Sequence, residues 1–195
     1  MLEPHAVSRY FDKRRKHTAC QSRQTQRRPA DANRLRAWTN RRMPKLSLAV
    51  QASSHLILAA CATIGMDSDQ SYFAALACRA QDCLPCDTLV ADKGYDAEVN
   101  HVLGRQHLGL RTLIPVRRCR AGAAGTTGYY RRRMNRCLQQ PPNQWRYRQR
   151  WQVETVNSMI KRNLGSACRA RSGRGRKKEL LLRVVTHNLM ILANL

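Results

Sequence analysis

Tyr147, Arg150, Glu154 and Lys161 follow the pattern Y-x2-R-x3-E-x6-K. Offsets of 3, 4 and 7 stack on one face of an α-helix at about 3.6 residues per turn. One stripe would then carry a phenol hydroxyl, two cations and a carboxylate. Val153, Val156, Ile160 and Leu164 lie off that stripe and can bury against a core. A lone carboxylate among cations could face a metal ion and phosphates together. The same spacing also describes a solvated, mutually paired surface, in which each pair contributes about 0.2–0.5 kcal/mol.

Asp92 is the second residue of chemical interest. It ends a short apolar run, Thr88–Ala91, and Gly94 follows closely. In open α/β sheets, ligands bind beyond the carboxyl ends of the strands, so a carboxylate there suits a metal. A plain turn-capping role is equally open, because Asp is common in turns for local reasons. Asp92 and Glu154 could share Mg2+ with phosphate oxygens. A two-metal site would activate an attacking oxygen and stabilise a leaving one at phosphorus. Arg150 and Lys161 would hold a nucleic-acid backbone or neutralise developing charge. Tyr147 could stack on a base or hydrogen-bond a phosphate. Such a site normally needs a third carboxylate.

The elements that must position these residues are readable in part. Leu46–Gln51 and Leu56–Thr63 are apolar runs parted by Ala52-Ser53-Ser54-His55, the pattern of an antiparallel hairpin. Residues 68–83 carry Tyr72, Phe73, Leu76, Ala77 and Ala80 at helical spacing. Thr88–Ala91 is a short buried strand, Asp96 offers an N-cap to a helix running to about His107, and Gly109 closes it. Residues 111–116 are another short strand. The segment 88–116 is therefore a β-α-β unit with two parallel strands. Residues 117–146 hold Gly122, Gly125, Gly128, Pro141, Pro142 and Arg131-Arg132-Arg133, and read as a basic, phosphate-binding loop insertion. A helix over 145–164 carries the stripe and ends at Gly165. A second helix, 177–194, is rich in Leu, Val, Ile and Met and is expected to be largely buried.

Charge narrows the partner. The 195 residues carry a net charge of +24, most of it from arginine, whose planar fork suits phosphate. A polyanion, nucleic acid above all, is the implied partner. Residues 1–43 have twelve Lys/Arg against three Asp/Glu, and 44–116 have five against seven. Residues 117–150 have ten against none, and 151–195 have nine against two. This division suggests a basic arm over 1–43 and a catalytic-type domain over 44–195. A ribosomal-type protein would be basic throughout, whereas here the acids gather where an enzyme could hold a cation.

No apolar run approaches the roughly 20 residues of a membrane span, and no signal peptide is visible. A cytoplasmic protein is expected, and its eight cysteines should be thiols. Cys83-Leu84-Pro85-Cys86 is a lone C-x-x-C that follows a helix, without the further ligands of a zinc site, and reads as an inert loop pair.

Leu89-Val90-Ala91-Asp92-Lys93-Gly94-Tyr95-Asp96, with Glu154 62 positions after Asp92 inside the Tyr147/Arg150/Glu154/Lys161 pattern, resembles the bacterial insertion-sequence transposases of the DDE type. More narrowly, it is similar to the branch with the Y-R-E-K signature. Pro44-Lys45-Leu46, Ser53-Ser54-His55, Arg150-Trp151-Gln152-Val153-Glu154 and His187-Asn188-Leu189-Met190 extend the likeness over nearly the whole chain. The resemblance implies an α/β, RNase H-like mixed sheet with flanking helices. It implies DNA transposition by Mg2+-dependent cutting and joining of transposon ends, with Asp92 and Glu154 as catalytic metal ligands. Tyr147, Arg150, Lys161, Arg131, Arg132 and Arg133 are the expected DNA contacts. Transposon-end and target DNA are the expected partners, together with a homodimer and no membrane.

One departure stands out. The family's first catalytic Asp ends the first strand and precedes a segment like Ser8-Arg9-Tyr10-Phe11. Here Met1 falls just after that position, and Asp12, Asp31 and Gln51 are poor substitutes. The expectation is a truncated, N-terminally shortened fragment that lacks its first central strand, is poorly stable and is inactive alone. The alternative function is a non-catalytic basic DNA- or RNA-binding protein.

Overall fold

The computed structural model describes residues 5–11, 43–65, 68–117 and 128–194, with 5–11 described by backbone alone. The arm from Lys13 to Arg42, the segment 118–127, Asp12, Asp31, Cys20 and Cys119 lie outside the described residues. Among the described residues, five strands form one mixed sheet in the order β3-β2-β1-β4-β5. They are β1 (His5–Phe11), β2 (Pro44–Gln51), β3 (Ile57–Ile64), β4 (Thr88–Ala91) and β5 (Arg111–Leu113).

The expectation that the first central strand is missing is corrected. β1 lies between β2 and β4, antiparallel to the first, with Tyr10 opposite Leu46, and parallel to the second, with Val7 opposite Ala91. Its backbone meets the ladder groups that the two neighbours would otherwise leave unpaired, each costing about 1–3 kcal/mol if buried. The ground for expecting a poorly stable chain is thereby removed. Part of the stretch read as a basic arm belongs to the sheet.

The sheet is covered on both faces because its side chains alternate. Leu46, Leu48, Val50, Val90 and Leu113 face one layer, and Ala49, Leu89 and Ala91 face the other. The second layer is α1 (Gln70–Cys83), which buries Phe73, Leu76, Ala77 and Ala80. The first layer is formed by α3 (Tyr129–Gln139), α5 (Trp151–Leu164) and α6 (Gly173–Leu192), through Met134, Val153, Val156, Ile160, Leu180 and Val184. α2 (Glu98–Val102) continues as a π-helical turn, Leu103–His107, into β5.

The hairpin and the strand Thr88–Ala91 form as expected. Gly109 takes a positive φ of 66°, as a helix-ending glycine does. Cys83 is exposed at the end of α1 and Cys86 is buried behind it; both are free thiols, as the loop-pair reading requires. Four expectations are corrected. Residues 117–146 are not the expected loop, because α3 and α4 (Pro141–Arg148) fill most of their described part. Pro141 and Pro142 start α4 rather than break structure, because proline is tolerated in a helix's first turn. The expected helix 145–164 is two helices, α4 and α5, parted at Gln149-Arg150. Finally, α6 is not largely buried: Leu182, Val185 and Leu189 are 65%, 55% and 61% exposed.

Two polar contacts fix the layers. The Asn188 side chain donates to the Ile57 carbonyl at 2.8 Å and accepts from its N–H at 2.9 Å, pinning α6 to the edge strand beside a register shift. On the other face, buried Lys45 pairs with Asp69 at 2.5 Å. Asp69 in turn abuts Gly94, where a Cβ would lie 3.0 Å from its carboxylate. The turn after β4 is thus held close against the start of α1.

His101 of α2 is fully buried and bonds Thr112 of β5 at 2.7 Å. Burial, then the Arg105 charge, lowers its pKa to about 4. The folded chain therefore resists the protonation that the unfolded chain accepts near pH 6.5. Stability from this group is complete above pH 6.5 and falls as pH drops towards 4, by about 3 kcal/mol in all. Urea melts at pH 7 and pH 4.5 should show a smaller acid loss in His101→Gln than in the parent. A second test concerns β1: deleting residues 1–11 bares the facing edges of β2 and β4. The expected result is loss of the cooperative thermal transition in circular dichroism.

Candidate nucleic-acid site at the end of β4

Asp92 follows the last residue of β4 with an extended backbone, φ −67° and ψ 156°. Extended alternation continues one residue beyond the strand, so Asp92 points to the same side as Val90, the side that α5 covers. β1 and β4 are parallel neighbours from which the chain winds outward in opposite directions, so Asp92 stands at the sheet's switch point.

Glu154 lies in the first turn of α5, next to buried Val153. Arg150 is the residue just before the helix. Its Nη1 donates to Glu154 Oε1 at 2.7 Å and forms an ion pair with Asp92 Oδ1 at 2.8 Å. One nitrogen thus joins two carboxylates that are 62 residues apart in sequence. Burial opposes the Arg150 charge, but Asp92 and Glu154 more than offset it and raise its pKa. Tyr147, in the last turn of α4, is half-buried and accepts a hydrogen bond from Arg150. Burial raises the Tyr147 pKa, keeping the phenol protonated.

The stripe therefore assembles, but not as one helical face. Tyr147 arrives from α4, Arg150 from the junction, and Glu154 from α5. Lys161 is exposed in the last turn of α5, about two helical turns beyond Glu154.

The three arginines of the basic segment separate. Arg131 makes a two-pronged pair with Asp96, Nε to Oδ1 at 2.8 Å and Nη2 to Oδ2 at 2.7 Å. The Asp96 side chain is fully buried and also accepts the Arg117 N–H at 2.8 Å. This corrects one expectation, since Asp96 does not cap α2; Arg131, expected to contact DNA, is paired here as a clamp inside the domain. Glu98 completes the clamp by accepting the Tyr130 and Arg131 N–H groups at 2.9 and 3.1 Å, as an acidic cap on α3. Arg132 and Arg133 stay on the exposed side. Arg133 lies over the Tyr129 ring at 4.6 Å. A cleft of about 400 Å³ lies along α3, lined by Arg105, Tyr129, Tyr130, Arg133, Met134 and Arg136. Neither Asp92 nor Glu154 lines it.

A further network was not assigned a role from the sequence. His55, at φ 63° in the β2–β3 turn, bonds Gln152 of α5 at 2.7 Å. Its carbonyl contacts His187 of α6 at 3.1 Å. Gln152 lies between Arg150 and Glu154 in sequence, so this network fixes the start of α5. The motifs Ser53-Ser54-His55 and His187-Asn188 were visible, but no spacing rule links segments about 130 residues apart.

Asp92 and Glu154 are hard oxygen donors converging on one positive charge, so the pair fits a divalent ion for which Arg150 is the present stand-in. The Asn157 Oδ1, one turn beyond Glu154, is buried without a hydrogen-bond partner and is a further oxygen nearby on the same helix. Among the described residues, no group of three His, Cys, Asp or Glu side chains could hold a metal.

A mixed sheet with strand order 3-2-1-4-5 and helices on both faces thus places paired carboxylates beyond the strand ends, where open α/β sheets bind ligands. A family model, the transposase DDE domain, matches residues 15–189, and the chain belongs to that family. No curated protein matched the sequence. Membership associates the chain with DNA transposition, a DNA substrate and divalent metal. No helix among the described residues is long and apolar enough to cross a membrane.

The clamp assignment gives a direct test. Arg131→Met leaves the Asp96 carboxylate buried and unpaired, which should cost about 3–5 kcal/mol in chemical denaturation. Arg132→Ala and Arg133→Ala should each stay within about 0.5 kcal/mol of the parent.

Proposed function

We propose that this domain cuts and joins transposon-end DNA by Mg2+-dependent phosphoryl transfer, as a member of the Y-R-E-K branch, with Asp92 and Glu154 as the catalytic metal-binding pair. The observation that carries the reading is the convergence of both carboxylates on one Arg150 nitrogen at the end of β4. When held there, a divalent ion would supply Lewis-acid stabilisation of oxygens at phosphorus.

The protein's own groups do the rest. Arg150 and Lys161 bind backbone phosphates, Arg150 with the two-pronged geometry that guanidinium favours. Tyr147, kept protonated, donates a hydrogen bond to a phosphate or stacks on a base. Arg132 and Arg133 extend the basic surface along α3. Arg131 contributes indirectly, by holding α3 in place. The exposure of both carboxylate side chains, 39% for Asp92 and 59% for Glu154, leaves room for a large ligand, and the net charge of +24 favours polyanions.

A second reading is DNA binding without cleavage. It is favoured by the donor count, since two converging carboxylates are few for two divalent ions. Among the described residues, no third His, Cys, Asp or Glu joins the pair.

A plasmid-nicking assay with residues 1–195 separates the two. Nicking that requires Mg2+ or Mn2+, and that falls at least about 100-fold in Glu154→Gln, supports the enzyme. Duplex binding by that variant should be equal or tighter, because a negative charge is removed. Salt-sensitive duplex binding by the parent with no nicking would favour the binding module.

A further inference from the structure

We propose that Arg150 is an internal cation that closes the Asp92–Glu154 pair to a divalent ion, and that a DNA phosphate opens the pair by drawing the guanidinium away. This inference rests on the metal-site reading of the preceding section.

Three features carry it. First, the same Nη1 atom touches both carboxylates, at 2.8 and 2.7 Å. Its charge sits on oxygens that a hard ion would need. A second positive charge so close would be repelled, so guanidinium and metal compete for the pair. Second, a guanidinium keeps its charge at any working pH. It cannot leave by losing a proton; it must move to another anion. Third, it is placed to move. It stands at the α4–α5 junction, not within a helix, and its side chain is 26% exposed. A DNA phosphodiester offers a guanidinium two matched acceptor oxygens, whereas Nη1 here meets one oxygen of each carboxylate.

The consequence is linkage. DNA that captures Arg150 frees two carboxylates and raises metal affinity. By reciprocity, metal raises DNA affinity by the same factor. The site would therefore stay closed to a divalent ion until substrate is present, guarding against metal-dependent chemistry in its absence. Gln152, pinned by His55, keeps the start of α5 in place while the Arg150 side chain swings.

Mn2+ is a suitable probe, read by electron paramagnetic resonance of the free ion, with no turnover needed. It is titrated into residues 1–195 with and without a short duplex, for the parent, Arg150→Ala and Arg150→Gln. The parent should bind Mn2+ at least about fivefold tighter with duplex than without, the lower end of usual couplings. Without duplex, both variants should bind at least about fivefold tighter than the parent, and much of the duplex effect should vanish. Matching circular dichroism melts establish that the variants fold, and the Gln variant serves if Ala does not. Variants that bind Mn2+ no tighter than the parent without duplex would overturn the proposal. Asp92→Asn and Glu154→Gln separate that failure from a failure of the site. If they abolish duplex-dependent Mn2+ binding, the metal site stands and only the gating falls. If they leave it unchanged, the site reading falls as well.

Discussion

Backbone pairing of His5–Phe11 between β2 and β4 is the constraint from which the site follows. Strand edges in the middle of a sheet cannot stay unpaired without stranding buried N–H and C=O groups. With β1 in place, β4 runs parallel to it and ends at the point where the winding reverses. Asp92 is then carried out of the sheet beside α5. That pairing works together with the core shared by Val90 and Val153 to set Asp92 opposite a helix 62 residues away.

The second level is electrostatic. Asp92 and Glu154 approach closely although both are anions, and Arg150 offsets their repulsion. The basic segment is handled in the same way. Asp96 and Glu98, two of the few acids in the chain, reach across to α3 and hold it through Arg131 and two backbone N–H groups. A chain with 36 basic and 12 acidic residues cannot neutralise itself. Four of its acids, Asp92, Asp96, Glu98 and Glu154, organise the site and α3, while Arg132, Arg133 and Lys161 are exposed.

Much of the site was legible because local chemistry is strongly encoded. Thr88–Ala91 is a four-residue apolar run ending in Asp, and it forms the strand expected. The Tyr147–Lys161 pattern grouped Tyr147, Arg150 and Glu154, which the fold does bring together, although a single helix does not carry them and Lys161 lies about two turns further on. The break at Gln149-Arg150 has no proline or glycine to announce it, so periodicity ran through it. The prolines at 141 and 142 misled in the opposite direction, because a helix start and a loop share that signal. The outward apolar stripe of α6 was read as buried because hydropathy records composition and not which side faces the sheet.

The amino-acid sequence by itself determined the family, the short strand that ends before Asp92 and the parallel β-α-β unit around it. These depend on residue types and short spacings, which act locally. Only the tertiary structure decided that residues 5–11 fill the centre of the sheet and that Arg131 belongs to Asp96. It also decided that Arg150 bridges Asp92 to Glu154, and that His55 and Asn188 lock the hairpin to α5 and α6. Those contacts join segments from four to more than 130 residues apart. Their geometry depends on how whole layers stack, a consequence of burial shared across the domain that no single stretch of sequence encodes.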